Sequence, residues 1–148
     1  MADNNGNIIA PLTVKPVNKH DNGLFPESLE KLIDIADLLR LDINNSYMTL
    51  DSGFDTKDNK FNILRNNLIP VIKPNPRNCK QEKRYELLDE FEQVEDIYKK
   101  RIIIERDFAW KCKYRKLVIR YEKLQCVFMG FRYLAYSLIN FRELFGET

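Results

Sequence analysis

Apolar positions along this chain follow a two-residue period first and a helical period afterwards. Ile8, Ala10, Leu12 and Val14 alternate with Ile9, Pro11, Thr13 and Lys15, which predicts a strand. Asn5-Gly6 just before it is a two-residue hairpin signal, since a type I′ turn needs positive φ at both central positions. Pro11 lacks a backbone donor and belongs at a sheet edge or bulge. Only Met1 to Asn4 precede the turn, so the first arm of the hairpin is nearly absent. Two readings stand at this point: the remainder of a longer sheet, or an ordinary frayed N-terminus.

Pro26 opens a helix, because its fixed φ suits the first turn. Leu29, Leu32, Ile33, Ala36 and Leu39 follow at helical spacing and predict one buried face, with Glu30, Lys31, Asp34 and Arg40 outward. Asp42 to Asn45 form a polar break, and Tyr47 to Asp51 reads as a short strand. Asp55 is the expected N-cap of a helix running to about Asn66. Leu68 to Lys73 is another strand, interrupted by Pro70, and residues 74 to 78 form a loop by composition. An acidic helix is predicted from about Tyr85 to Ile97, then a helix from Arg101 to Trp110. In the C-terminal segment Leu117, Tyr121, Leu124, Phe128 and Phe131 recur at steps of four and three, and Leu134, Leu138 and Phe141 extend that apolar face. Gly130 weakens this helix only modestly. The order, strands and helices first and helices last, gives an α/β class without internal repeats.

A chain of 148 residues fits one domain, and an apolar fraction of 44% is ordinary for a globular protein. No apolar run approaches the roughly 20 residues of a membrane span, and the N-terminus lacks a signal peptide's basic start and apolar centre. Cys79, Cys112 and Cys126 are odd in number and show no CxxC spacing. With one histidine beside them they argue against structural zinc, and a reducing cytoplasm is the simplest compartment. The net charge of +2 hides an asymmetry. Residues 1 to 97 hold 12 basic and 17 acidic side chains, whereas residues 98 to 148 hold 12 and 5. From Lys99 to Lys123 the basic residues alternate with Phe108, Trp110, Tyr114 and Tyr121. This mixture reads as a solvated helix face or as a nucleic-acid surface. Trp110 fits either helix packing or stacking on a base, and His20 either a loop contact or a general base.

Two carboxylates carry the candidate chemistry. Asp51 ends an apolar run in Leu50-Asp51-Ser52-Gly53-Phe54-Asp55, and Gly53 lets the backbone turn close behind it. Functional groups in open α/β sheets gather at the carboxyl ends of strands, and magnesium takes hard oxygen ligands. A solvated turn or a cap explains the same residue. Glu105 lies among Lys100, Arg101 and Arg106, and Tyr98, Arg101 and Glu105 stand at i, i+3 and i+7 on one helical face. A helical ion pair explains Glu105 equally well.

Together these frames resemble the catalytic domain of insertion-sequence DDE transposases, the group with a Tyr, two residues, Arg, three residues, Glu, six residues, Lys signature. Tyr98, Arg101 and Glu105 match it within Tyr-Lys-Lys-Arg-Ile-Ile-Ile-Glu-Arg-Asp-Phe-Ala-Trp. The Asp51 block resembles the stretch around the family's second acid, and residues 69 to 77 look like the strand and loop after it. Tyr114-Arg115-Lys116-Leu117 and Arg120-Tyr121-Glu122 look like its continuation beyond the glutamate. The resemblance covers almost the whole chain.

It implies a partial ribonuclease-H-like domain over residues 1 to 148, with a short mixed sheet, flanking helices and long C-terminal helices. It implies Asp51 and Glu105 as catalytic, metal-binding acids using Mg2+ or Mn2+, expected only in the complete enzyme. Tyr98, Arg101, Arg106, Lys113, Arg115 and Lys116 would contact the DNA of the transposon ends. Two departures stand out. Cys112 replaces the signature lysine; Lys111 and Lys113 flank it about 100° to either side, with Arg115 and Lys116 one turn on. The first aspartate of the triad is missing, because Asp3 lies too close to the Asn5-Gly6 turn. An N-terminally truncated polypeptide, inactive alone, is therefore expected. The alternative is a non-catalytic fragment that binds DNA or interacts with intact transposase, and a relic reading frame without selected activity is a third. An upstream-encoded half is a further expected partner.

Overall fold

The computed structural model describes residues 1–13, 21–75, 77, 81–114, 117, 119 and 122–146. They gather into two compact units, one of residues 10–101 and one of residues 1–9 with 102–148.

The larger unit is built on a strand–helix–strand motif. Helix α1 (Phe25–Leu39) starts with Pro26 in its first turn and buries Phe25, Leu29, Leu32 and Ala36. Its predicted apolar face holds except at Leu39, which is exposed where the helix ends. Arg40 there turns left-handed, with φ 54°, and its amide bonds back to Asp37. Strand β1 (Tyr47–Leu50) and strand β2 (Ile69–Ile72) pair in parallel, with Tyr47 opposite Ile69 and Leu50 opposite Ile72. Parallel strands need a crossover, and helix α2 (Lys57–Arg65) supplies it. The near-continuous apolar run of β2 suits a parallel strand, and Val71 and Ile72 are buried. Pro70 is tolerated because this sheet has two strands among the described residues, leaving each with an outer edge.

The cap of α2 corrects the sequence reading. Thr56, not Asp55, is the N-cap, its Oγ1 accepting from the Asn59 amide at 3.2 Å. Asp55 is engaged elsewhere: it pairs with Lys60 at 2.6 Å and accepts from the Asn75 amide at 2.7 Å. The acidic helix starts earlier and is divided. Helix α3 (Gln81–Glu92) gives way to a turn, and helix α4 (Glu95–Lys99) packs against both strands.

In the smaller unit, helix α5 (Ile102–Cys112) packs on helix α6 (Gln125–Phe145). Leu124 precedes α6, so the expected seam from Leu117 through Leu124 to Phe131 does not run along one helix. Within α6, Ala135 and Ile139 are the buried residues, while Leu134, Leu138 and Phe141 are exposed, Phe141 by 63%. The sequence offers adjacent apolar stripes here, and packing chose the one with the smaller alanine, which lets helices approach. Tyr121 lies outside the described residues.

The N-terminal residues form the predicted turn with a different geometry. Gly6 has φ 94°, but Asn5 is not in the positive-φ region, so the turn is not type I′. Asp3 and Asn7 close a three-residue loop, with Gly6 at its left-handed position. The strand expected over residues 8 to 15 reduces to one antiparallel bridge, Ala2 to Ile8. Pairing with the first arm goes no further than Ile9, whose amide donates to the Met1 carbonyl at 3.0 Å, and Val14 and Lys15 lie outside the described residues. Ile8 is instead held by α6: its amide donates to Asn140 Oδ1 at 2.7 Å, and its carbonyl accepts from Asn140 Nδ2 at 2.9 Å.

Asp3 is the keystone of this turn. Its carboxylate accepts from the amides of Asn5 (2.8 Å) and Asn7 (2.9 Å) and from Asn7 Nδ2 (2.8 Å). Partial burial pushes its carboxyl up, but hydrogen bonds from the Asn7 side chain and from the Asn7, Asn5 and Gly6 backbone outweigh this and hold it below the usual value. A depressed folded pKa stabilises the turn above the unfolded value near ~3.9 and ceases to do so as pH falls through the folded value. Acidification below that point is expected to release the Asn5 and Asn7 amides, read as faster hydrogen exchange, and Asp3→Asn should remove this pH dependence.

Candidate functional site

Asp51 stands where β1 ends, at φ −69° and ψ 156°, and begins a short 3-10 turn, Ser52–Phe54. Its Oδ1 accepts from the Ser52 amide at 2.8 Å, so it caps that turn, yet the side chain remains 56% exposed. Gly53 does not have to be glycine for steric reasons: a Cβ there would meet nothing within 4 Å, and its φ is not positive.

The turn is fixed from three sides. Phe54 packs on Phe25 of α1, with ring centroids 5.9 Å apart. Asn59 is buried in α2 and donates to the Phe54 carbonyl at 3.0 Å and to Asn22 Oδ1. Asn75, just beyond β2, donates to the Ser52 carbonyl at 3.3 Å and through its backbone to Asp55. These bonds join the loops at the carboxyl ends of both strands, and the Asp51 carboxylate projects from the resulting frame.

A cation shares the place. Arg101 Nη1 lies 4.0 Å from Asp51 Oδ1. The guanidinium also sits over the Tyr98 ring, 5.8 Å from its centroid, and Tyr98 meets Phe91 edge-on at 5.1 Å. Packing of α4 on the strands brings this group to the end of β1. Lys99, next to Tyr98, is occupied by Glu95 at 2.9 Å and Asp96 at 3.3 Å. Hydrogen bonds from those two carboxylates, Glu95 first, raise its pKa above the ordinary lysine value.

Glu105 lies on α5 in the other unit. It occupies the first turn, where the helix dipole favours a carboxylate, and is exposed. Among the described residues it has no hydrogen-bonding or ionic partner. Tyr98, Arg101 and Glu105, expected on one helix, do not lie on one continuous helix. Helix α4 ends at Lys99, tightened by bonds from Lys100 to Ile97 and from Arg101 to Tyr98, and α5 begins at Ile102. Arg106 donates to the Asn5 carbonyl at 3.1 Å and pairs with Glu143 at 3.4 Å, tying the N-terminal turn to both helices. Lys113 is exposed at the end of α5, its ammonium 3.8 Å from the centroid of the Trp110 ring. Arg142 reaches the same ring from α6, at 3.7 Å, and was not a candidate because it lies beyond the basic segment ending at Lys123. Arg115, Lys116, His20 and Cys79 lie outside the described residues. Cys112 and Cys126 are free thiols on the surface. Among the described residues no group of three or more His, Cys, Asp or Glu side chains gathers as a metal cluster.

The family model described as "Transposase DDE domain" matches residues 1–138, more than nine-tenths of the chain. The chain belongs to the DDE transposase family. The α/β architecture of this transposase domain, a short parallel sheet with flanking helices, is consistent with a partial ribonuclease-H-like fold. Membership places it in DNA transposition and recombination, with DNA as the substrate of the family and divalent metal ions in its general chemistry. No curated protein and no solved structure matches the transposase chain significantly. Among the described residues, no helix is long and apolar enough to cross a membrane.

Proposed function

We propose that this chain carries the second and third acids of a DDE transposase, Asp51 and Glu105, and part of its grip on the transposon ends. The observation that carries the reading is the pairing at the end of β1. A carboxylate suited to a divalent ion stands 4.0 Å from a guanidinium suited to a phosphate. Asp51 and Glu105 present hard oxygens, the donor type of Mg2+ or Mn2+. Glu105 is unpaired among the described residues, and Asp51 is held by a backbone amide and one arginine. The donor chemistry therefore fits.

When bound, such ions neutralise charge on the scissile phosphodiester and lower the pKa of the attacking hydroxyl. The residues of the chain have their own parts. Arg101 binds non-bridging phosphate oxygens through two parallel hydrogen bonds and holds the strand beside Asp51. Tyr98 orients that guanidinium and contacts the neighbouring phosphate. Lys113, Arg115 and Lys116 extend the cationic track, and Arg106 contributes the donors left by Asn5 and Glu143. The first acid of the triad is assigned to no residue here, because the Asp3 carboxylate is committed to the N-terminal turn. A partner polypeptide such as intact transposase, met in the cytoplasm, supplies that acid, and the chain alone does not cleave DNA. A second reading, a non-catalytic DNA-binding fragment, is favoured by Lys113 and Arg142, which meet no acid among the described residues.

The test is strand chemistry on duplex DNA bearing the terminal repeats of an insertion sequence, with Mg2+ or Mn2+. The chain alone is expected to bind without nicking, and nicks should form when a polypeptide supplying the first acid is added. Nicking by the chain alone would refute the assignment of a missing acid. Absence of binding under every condition would refute the transposase role.

A further inference from the structure

We propose that Lys113 and Arg142, held over the indole of Trp110, form a clamp for the phosphodiester backbone of duplex DNA. This rests on the DNA-binding reading above and adds a site to it. Arg142 Cζ and Lys113 Nζ lie 3.7 and 3.8 Å from the centre of the same ring. An indole face attracts cations through its quadrupole, so both charges have a reason to stay there. Each also lies at a helix C-terminus, Lys113 just past α5 and Arg142 in the last turn of α6, where the dipole favours a cation.

Neither attraction neutralises them. Some cations of the chain are taken up by acids: Arg106 by Glu143, Lys99 by Glu95 and Asp96, and Lys60 by Asp55. Among the described residues, Lys113 and Arg142 have none. Glu143 follows Arg142 in sequence but turns to Arg106 instead. Two like charges gathered on one aromatic platform, exposed and unneutralised, suit a ligand whose own charges repeat along a chain. The planar fork of Arg142 can grip one phosphate through two hydrogen bonds, while Lys113 serves a neighbouring phosphate as a point charge. Trp110 is the positioning residue that keeps the pair together, which sets its role apart from base stacking.

The experiment measures binding of the whole chain to a fluorescent DNA duplex over a range of salt concentrations. Neutralising both cations, Lys113→Gln with Arg142→Gln, should flatten the plot of log affinity against log salt by about 1.8, roughly 0.9 for each phosphate no longer neutralised. Affinity at the lowest salt should fall by about tenfold or more. Trp110→Leu keeps every charge yet should weaken binding, and Trp110→Phe should restore part of it. Because Trp110→Leu could disturb packing, far-UV circular dichroism accompanies it, and the surface double variant decides the matter if that variant unfolds. A double variant with an unchanged slope overturns the clamp. If Arg101→Gln still weakens binding in that case, the proposed function survives without it. A wild-type chain that does not bind duplex DNA overturns both. Polyglutamate that displaces the duplex at equal charge concentration overturns the assignment to DNA.

Discussion

Ile63→Ala is expected to destabilise the larger unit by about 2–5 kcal/mol, the usual cost of truncating a buried isoleucine to alanine. Ile63 is 0% exposed, the most deeply buried side chain of α2. Its carbonyl also accepts from the amides of Asn66 (3.1 Å) and Leu68 (3.1 Å), where the chain turns from α2 into β2. Removing the side chain leaves a cavity at the crossover of the strand–helix–strand motif, whose strand β2 buries Val71. The same helix carries Asn59, which pins the turn after Asp51, so the loss reaches the candidate site. Urea denaturation should show a lower midpoint, and the Ser52–Phe54 amides should exchange faster. An Ile63→Val control should cost only about 0.5–1.5 kcal/mol. Equal stability of Ile63→Ala and wild type would mean that α2 does not pack on the sheet as described.

Asp51→Asn should weaken binding of Mn2+ by roughly a hundredfold. Changes to residues that merely orient metal ligands cost 10–100-fold in affinity, and replacing a direct ligand should cost at least as much. The amide can still accept from the Ser52 backbone, so the turn should persist and melting should change little. It cannot supply the anionic oxygen, and it leaves Arg101 without its carboxylate. Titration calorimetry with Mn2+, on the chain combined with a polypeptide that supplies the first acid, reads the affinity. Binding equal to wild type would place the ion elsewhere.

The motif of α1, β1, α2 and β2 was legible because local signals agreed there. Pro26 fixes a helix start, apolar runs bounded by Asn and Asp mark both strands, and the link between them is long enough for a crossover. Elsewhere local signals were degenerate. Asp55 and Thr56 are both good caps, and the choice was made by Lys60 and Asn75, which tertiary structure brings to Asp55. No glycine or proline marks the break between α3 and α4, so the acidic stretch reads as one helix. Helix α6 is apolar on adjacent stripes, and periodicity alone cannot say whether Leu134 or Ala135 is buried. For the site, Asp51 was singled out at the end of an apolar run, and Tyr98 and Arg101 by the resemblance to the transposase signature, but the approach of Arg101 to Asp51 joins positions fifty residues apart and depends on α4 packing against the strands. Arg142 carried no local signal, since its role arises only where α6 meets Trp110. Tyr98 and Glu105 do not share one helix because the last turn of α4 tightens before α5 begins.

The proposed transposase chemistry requires Asp51 and Glu105 to share a divalent ion. Paramagnetic broadening by Mn2+ in the 15N-labelled 148-residue chain, combined with an unlabelled polypeptide that supplies the first acid, tests this directly, because broadening falls steeply with distance. The Ser52 and Glu105 amides are expected to broaden together at the same metal concentration, and Asp51→Asn should abolish both effects. Broadening at one of the two positions without the other, or at neither, would contradict a shared ion.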